Sequence, residues 1–352
     1  MKKIKKDIRE LSKKEIQEFF LSHNEPSFKG TQVYQWLWKK GVHDFDLMTN
    51  LSFGHRALLK TNFEIKHIKI DEYQRSIDGT IKNAVKLHDQ FIVESVLIPT
   101  SKRSTACVSS QVGCSLDCIF CATAALKRIR NLNADEIYDQ VVAMDNQSKL
   151  FFNRPLTNIV FMGMGEPLMN YKNVLSAINK IIDPEGLAMS PRRITLSTSG
   201  IPKMILKMAE DKVKFGLAVS LHSARQEVRE KIMPFANKFP LTELSKALKF
   251  WYEYSNKPIT YEYVIWEGIN DKLEDIQALV KFCHQIPSKV NLIQYNPIDK
   301  SSMNEAPVEV IESYLKALSK AKINVTYRRS RGEDIAAACG QLANKLQSNS
   351  KQ

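Results

Sequence analysis

Ala106-Cys-Val-Ser-Ser-Gln-Val-Gly-Cys-Ser-Leu-Asp-Cys-Ile-Phe-Cys121 joins a short strand to a loop carrying three cysteines. Ala106–Ser110 reads as a buried strand, and Cys114, Cys118 and Cys121 follow within fifteen residues of its start. From about residue 104 the same alternation continues. Strands are predicted at Ala106–Ser110, Asn158–Met162, Arg193–Ser197, Phe215–Ser220, Ile259–Ile265 and Val290–Tyr295, with Val325–Arg328 as an added last strand. Amphipathic helices are predicted between them near 134–147, 171–182, 202–210, 241–254, 273–284 and 307–320. Repeated strand–helix units with β-branched strands make an α/β domain with a parallel sheet under helices. Six units are too few for a closed eight-stranded barrel, so the expectation is an open, partial (β/α)6 barrel of TIM type.

The unusual residues fall at the exits of these strands. Ser110-Gln-Val-Gly113, Gly163-Met-Gly-Glu166, Ser197-Thr-Ser-Gly200, Ser220-Leu-His222 and Asn296-Pro297 each follow a strand directly. In barrels that is the end where active sites assemble, which suggests one composite pocket. The cysteine loop opens at the same end. Thiolates are soft ligands, and thiols this close together suit zinc or an iron–sulfur cluster. Structural zinc normally takes four protein ligands, often as two separated cysteine pairs. Here the spacing is Cys-x3-Cys-x2-Cys, with no second pair or histidine cluster nearby. A cubane on three cysteines leaves one iron open, so an iron–sulfur cluster is the expectation, ahead of zinc or inert thiols.

Upstream, residues 1–65 read as a small basic helical domain. Ser12-Lys-Lys-Glu15 is a capping box, a second helix spans about Thr31–Lys40 before Gly41, and a third follows Ser52. Residues 66–99 read as a connecting β-hairpin, with turns at Asp78-Gly79 and His88-Asp89. The core is placed at 100–345 and a tail at 346–352. Of the 352 residues, 43% are hydrophobic and 25% charged, ordinary values for a folded chain. Lys and Arg exceed Asp and Glu by 51 − 38 = 13, which favours a polyanionic partner such as nucleic acid, or else a generally basic surface. No apolar run reaches the roughly 18 residues of a membrane span, and no signal-peptide stretch follows the basic start. A cytoplasmic protein is expected, where six cysteines do not make a disulfide framework.

The Cys-x3-Cys-x2-Cys loop with Phe120 before its last cysteine resembles the signature of radical S-adenosylmethionine enzymes. The resemblance implies a [4Fe–4S] cluster on Cys114, Cys118 and Cys121, whose open iron binds S-adenosylmethionine. Reductive cleavage then gives a 5′-deoxyadenosyl radical. A wider set of motifs is more specific. Ala106-Cys-Val-Ser-Ser-Gln-Val-Gly-Cys114, Phe161-Met-Gly-Met-Gly-Glu-Pro-Leu168, Ser220-Leu-His222 and Asp334-Ile-Ala-Ala-Ala-Cys-Gly-Gln-Leu342 together resemble the RlmN family, which methylates C2 of adenine in 23S rRNA and tRNA.

What that resemblance implies is an unusual methyl route. Adenine C2 lies between two ring nitrogens and is electron-poor, so ordinary polar transfer fails. Cys339 first takes a methyl from one S-adenosylmethionine, and a radical from a second removes a hydrogen from it. The methylene radical adds to C2, and Cys107 then attacks the Cys339 sulfur, leaving a disulfide as product is released. Glu94 matches the family's proton acceptor. Gly165 and Glu166 are to hold the methionine end of S-adenosylmethionine, and Ser197, Ser220, Leu221, His222 and Asn296 its other polar groups. Each also has an ordinary structural use: Glu94 as a surface strand carboxylate, Ser197 as a cap, His222 as a loop histidine, Asn296 in a turn, and Cys107 and Cys339 as buried thiols. Cys283 sits in a helical apolar stripe and is given no role.

Lys102-Arg103, Lys127-Arg128-Ile-Arg130 and Arg328-Arg329-Ser-Arg331 flank these motifs, as a phosphate-binding rim would. A target adenine in folded RNA must be unstacked to reach the cluster. A monomer working with a flavodoxin-like reductant is expected. The alternatives are a Cfr-like methyltransferase acting on adenine C8, another radical enzyme acting on a small molecule, and a non-catalytic RNA-binding protein with a structural metal. The Gly-Glu-Pro-Leu and Arg331-Gly-Glu-Asp-Ile segments look more like RlmN.

Overall fold

The computed structural model describes residues 5–299 and 301–344, so the first four residues and the tail expected at 346–352 lie outside the described residues. One ten-stranded sheet organises the chain. Its strands are β1 (Lys69–Arg75), β2 (Ile81–Lys86), β3 (Ile92–Pro99), β4 (Ser104–Cys107), β5 (Asn158–Phe161), β6 (Ile194–Thr198), β7 (Gly216–Ser220), β8 (Ile259–Val264), β9 (Ser288–Ile293) and β10 (Asn324–Arg328). They lie side by side in reverse chain order, β10 at one edge and β1 at the other. From β4 to β10 every neighbour is parallel. The α/β partial barrel expected from the sequence is what forms.

The strands alternate as buried parallel strands should. On β8, Tyr261 stacks edge-on against Phe282 and Tyr263 packs on Tyr314, both rings of covering helices. Thr260, Glu262 and Val264 therefore face the other way, into the concave side. The covering helices include α4 (Ala134–Phe152), α5 (Tyr171–Ile182), α6 (Pro202–Glu210), α7 (Gln226–Ile232), α8 (Leu241–Ser255), α9 (Leu273–Cys283) and α10 (Val308–Lys320). Cys283 is buried on α9, in the core as its stripe suggested. The two-turn α7 and a single turn at Ala122–Ala125 were not foreseen, since neither is long enough to show a period.

Residues 66–99 differ from the expected connecting hairpin. They form β1–β3, an antiparallel continuation of the same sheet, with β3 paired to β4 through Val96 and Cys107. The far edges of the sheet are joined by the segment after β10. Asp334 accepts from the Ser76 hydroxyl (2.6 Å) and the Ile77 N–H (3.1 Å), and Asp78 accepts from the Gly332 N–H (3.0 Å). Arg331 donates to the Asp78 carbonyl. A turn between β1 and β2 thus meets the residues beyond β10, and the barrel is closed by side chains where no strand pairing exists.

Three N-terminal helices, Lys13–Ser22, Phe28–Trp38 and Phe53–Asn62, precede the sheet, and the first two pack on each other. Ser12 and Glu15 make the anticipated capping box. Arg9 is almost fully buried and donates twice to Asp139 (2.8 and 2.9 Å) and once to Asp135 (3.0 Å). The Tyr34 hydroxyl donates to Asp183, and Trp38 stacks edge-on against Tyr138 at 4.9 Å. One hydrophobic core runs through this module and the sheet.

Candidate active site

The strand exits converge on one cavity, a concave and largely apolar space of the kind that takes small molecules. Its walls include Cys114, Cys118, Cys121, Gly165, Glu166, Ser197, Ser220, His222, Asn296 and Cys339. Residues from five strand ends and from the far C-terminal segment therefore share a single space.

The cysteine loop is fixed by its backbone. The Ile119 N–H reaches the Ile232 carbonyl, the Ala124 N–H reaches the Cys121 carbonyl, and Asp117 accepts from the Phe235 N–H. Phe120 packs at 4.8 Å on His222 and 5.0 Å on Trp266, giving the loop an aromatic wall. Burial pushes the Cys114 thiol up to about 11 and also raises Cys121. Cys118 is raised well above its ordinary range, by burial first and then by Cys121 and Cys114. Three thiols that oppose one another's ionisation become good ligands only around a positive centre, so this donor set suits a metal cluster. A second group of close ligand atoms, His88, Asp89 and Glu136, is already engaged by Arg130, which pairs with both carboxylates.

Glycines let the next exit approach the cysteine loop. Gly165 has φ +94°, and a Cβ there would meet Gln111 side-chain atoms at 2.5 Å; one on Gly163 would meet the Val108 carbonyl at 2.7 Å. The Glu166 N–H donates to Gln111 Oε1, and its carboxylate accepts from Ser199 N–H (2.7 Å) and Leu168 N–H (3.0 Å). Burial raises the Glu166 pKa against those bonds. The Thr198 and Ser199 side chains add further hydrogen bonds to the same carboxylate.

His222 sits at φ +56°, uncommon for a residue with a side chain. Its Nδ1 accepts from the Val264 N–H, and burial lowers its pKa to about 3, so the ring is a neutral acceptor. Leu221 is expected at this site but does not line the cavity: its N–H goes to the Glu262 carbonyl and its own carbonyl accepts from Arg229. Asn296 donates to the Cys339 carbonyl (3.4 Å), linking the strand exits to the C-terminal segment.

Cys339 is exposed at the cavity. Surrounding protein raises its thiol pKa, while Arg328 pulls it back. Cys107, at the end of β4, is buried and pushed up to about 12 by burial and by the nearby Cys339. Glu94 is 1% exposed and does not line the cavity. Its Oε2 accepts from the Ala343 N–H (2.8 Å), and Lys82 Nζ lies 3.8 Å from Oε1. In the basic rim, Lys102, Arg103, Lys127, Arg128 and Arg329 are exposed. Arg130 is held by Asp89 and Glu136, and Arg331 by Asp78.

Three residues went unnoticed in the sequence. Gln111 brackets Ser115 and Glu166. Arg229 is fully buried beneath the cavity and donates to the carbonyls of Ser199, Ser220 and Leu221 at two strand exits. Glu262 lies in Thr260-Tyr-Glu-Tyr-Val264, where period two already put a carboxylate on a buried face.

A partial α/β barrel with a three-cysteine loop leaving its first parallel strand defines a radical S-adenosylmethionine enzyme. Residues 108–283 match the Radical SAM superfamily, and residues 6–65 match the ribosomal RNA large subunit methyltransferase N-terminal domain. A Christiangramia forsetii protein named "Probable dual-specificity RNA methyltransferase RlmN" is 64% identical over 97% of each chain. The dual-specificity RNA methyltransferase RlmN of Geotalea uraniireducens is 41% identical, covering 97% of this chain and 98% of its own. The crystal structure of a radical SAM methyltransferase from Sphaerobacter thermophilus superposes with a TM-score of 0.90 at 35% identity, over 96% of this chain and 99% of that one. The chain belongs to the RlmN family of RNA methyltransferases, and its cofactors are a [4Fe–4S] cluster and S-adenosylmethionine. No helix among the described residues is long and apolar enough to cross a membrane.

Proposed function

We propose that the protein methylates C2 of one adenine in 23S rRNA at the peptidyl-transferase centre, and of an adenine next to the anticodon in tRNA. The observation that carries this reading is the arrangement of five thiols. Cys339 stands exposed in the cavity that the cluster cysteines line, and Cys107 lies at the end of the strand that feeds their loop. Cys114, Cys118 and Cys121 hold the cluster, which with S-adenosylmethionine supplies the 5′-deoxyadenosyl radical. Gly165 and Glu166 take the methionine end, and Ser197, Ser220, His222 and Asn296 the remainder, with Leu221 contributing only backbone support.

The Cys339 sulfur loses its proton and accepts a methyl group; one hydrogen atom of that methyl leaves to the 5′-deoxyadenosyl radical, the carbon bonds C2, and the adduct gives up one electron to the oxidised cluster. Once C2 is bonded to that carbon, Glu94 takes the C2 proton. Its carboxylate now faces Ala343 and Lys82, so this role needs residues 339–344 to shift. The Cys107 thiolate attacks the Cys339 sulfur, the S–C electron pair goes to the product carbon, which takes a proton to become the methyl group, and a disulfide remains. Two electrons and two protons from a flavodoxin-like donor restore both thiols. A cytoplasmic monomer fits this role, with the exposed basic residues on phosphates. Mass spectrometry of nucleosides from RNA treated with the reconstituted enzyme tests the reading: 2-methyladenosine is expected, and 8-methyladenosine as the main product would overturn it.

A further inference from the structure

Glu262 carries a carboxylate that the steps above leave without a task. It is 4% exposed and lines the cavity. Strand register places it beside Ser220 on β7 and Asn291 on β9, with Thr326 on β10 beyond. Oε1 accepts from Asn291 Nδ2 at 2.9 Å, and the Thr326 hydroxyl in turn donates to Asn291. Oε2 is buried with no hydrogen-bond partner, and Arg328 Nη1 is 3.7 Å away, beyond hydrogen-bond length. A buried carboxylate oxygen left without a donor is costly, so it marks a place where a ligand's donor belongs.

Two adenosines enter this cavity if the reading above holds, one in S-adenosylmethionine and one in the RNA. Glu262 groups with the thiols: Arg328 and Glu262 both act electrostatically on Cys339, and Arg328 on Cys107. The carbon that receives the methyl must stand beside Cys339. We propose that Glu262 Oε2 accepts a hydrogen bond from the 6-amino group of the target adenine and so selects that base. Within an RNA strand the amino group is the only donor on the adenine ring, since N1, N3 and N7 accept. Guanine would set its O6 acceptor against the carboxylate. Arg328, half-exposed on the same concave face, offers donors to a ring nitrogen.

The test uses holoenzyme with a reconstituted cluster and RNA whose target adenosine is replaced by purine ribonucleoside, which lacks only the amino group. Wild-type kcat/KM should fall about ten- to hundredfold on that RNA, the range for a hydrogen bond to a charged group. Glu262→Ala should lose a similar factor on adenosine RNA and show little preference between the two RNAs. The isosteric Glu262→Gln, checked by iron content, should keep part of the preference and serves if the alanine variant misfolds. A full preference surviving in both variants would overturn the assignment. So would a tenfold loss of S-adenosylmethionine affinity with the preference intact, which would move the contact to the cofactor's own adenosine. Wild-type enzyme inert toward adenosine RNA is a different failure, that of the methyltransferase reading.

Discussion

The two ends of the cavity are built by different means. The cluster end hangs on β4 to β7, parallel strands buried on both faces and braced from below by Arg229. The thiol end is Cys339 on a segment without strand pairing, held by isolated bonds: Gly340 carbonyl to Ala122 N–H, Leu342 carbonyl to the Thr123 hydroxyl, Ala343 N–H to Glu94, and Asp334 to Ser76. Each such bond is worth about 1 kcal/mol net. The difference teaches that the cluster end is fixed by strand pairing while the Cys339 segment is held loosely enough to shift, as the role proposed for Cys339 requires.

Removing one thiol from each end is the strongest way to break this contrast. Cys118→Ala should lose iron and S-adenosylmethionine cleavage together. Cys339→Ala should keep iron and cleave S-adenosylmethionine, yet give no methylated RNA; methylation surviving in it would merge the two ends into one function. Iron assay, 5′-deoxyadenosine release and RNA mass spectrometry read the three quantities.

Acid should act first on the fixed end. The native pKa of His222, about 3, lies below the ordinary 6.5, so between those values the unfolded chain binds a proton that the native chain does not. Stability therefore falls as pH drops from about 6.5 toward 3, by up to about 1.4 kcal/mol per pH unit from this residue. His222→Asn, which tolerates the left-handed backbone, should flatten that slope in urea melts between pH 6 and pH 4. An unchanged slope would mean the ring is not held neutral.

A smaller effect belongs to the movable end. Asp334→Ala removes the bonds to Ser76 and Ile77 and should cost about 1–2 kcal/mol at most in stability. Methylation should fall several-fold while 5′-deoxyadenosine release stays as it was. A parallel fall in both would show that the segment also shapes the cluster end.

Much of this was legible in the sequence because strand periodicity and turn residues are local. The strand exits and the cysteine loop declared themselves through spacing alone. Leu221 does not line the cavity, because a resemblance transfers a motif but not the direction of each side chain. The continuation of the sheet into β1–β3 was missed because strand pairing partners are not written in either strand. Arg229 and Glu262 escaped because a charge within a helix or strand looks solvated until the neighbouring elements cover it. The same limit hid the barrel's closure, which depends on Asp78 and Asp334 meeting across the fold.

That closure has a consequence for how the chain folds. Its contacts join residues 258 and 249 positions apart, among the longest loops in the molecule. Closing a loop of that size costs roughly 3 kcal/mol more than one of ten residues, for bonds of modest individual strength. The sheet and its cysteine loop are therefore expected to form before the C-terminal segment docks, and the segment to be the first part released. A young or partly unfolded chain would then offer a place for the cluster before Cys339 is docked beside it.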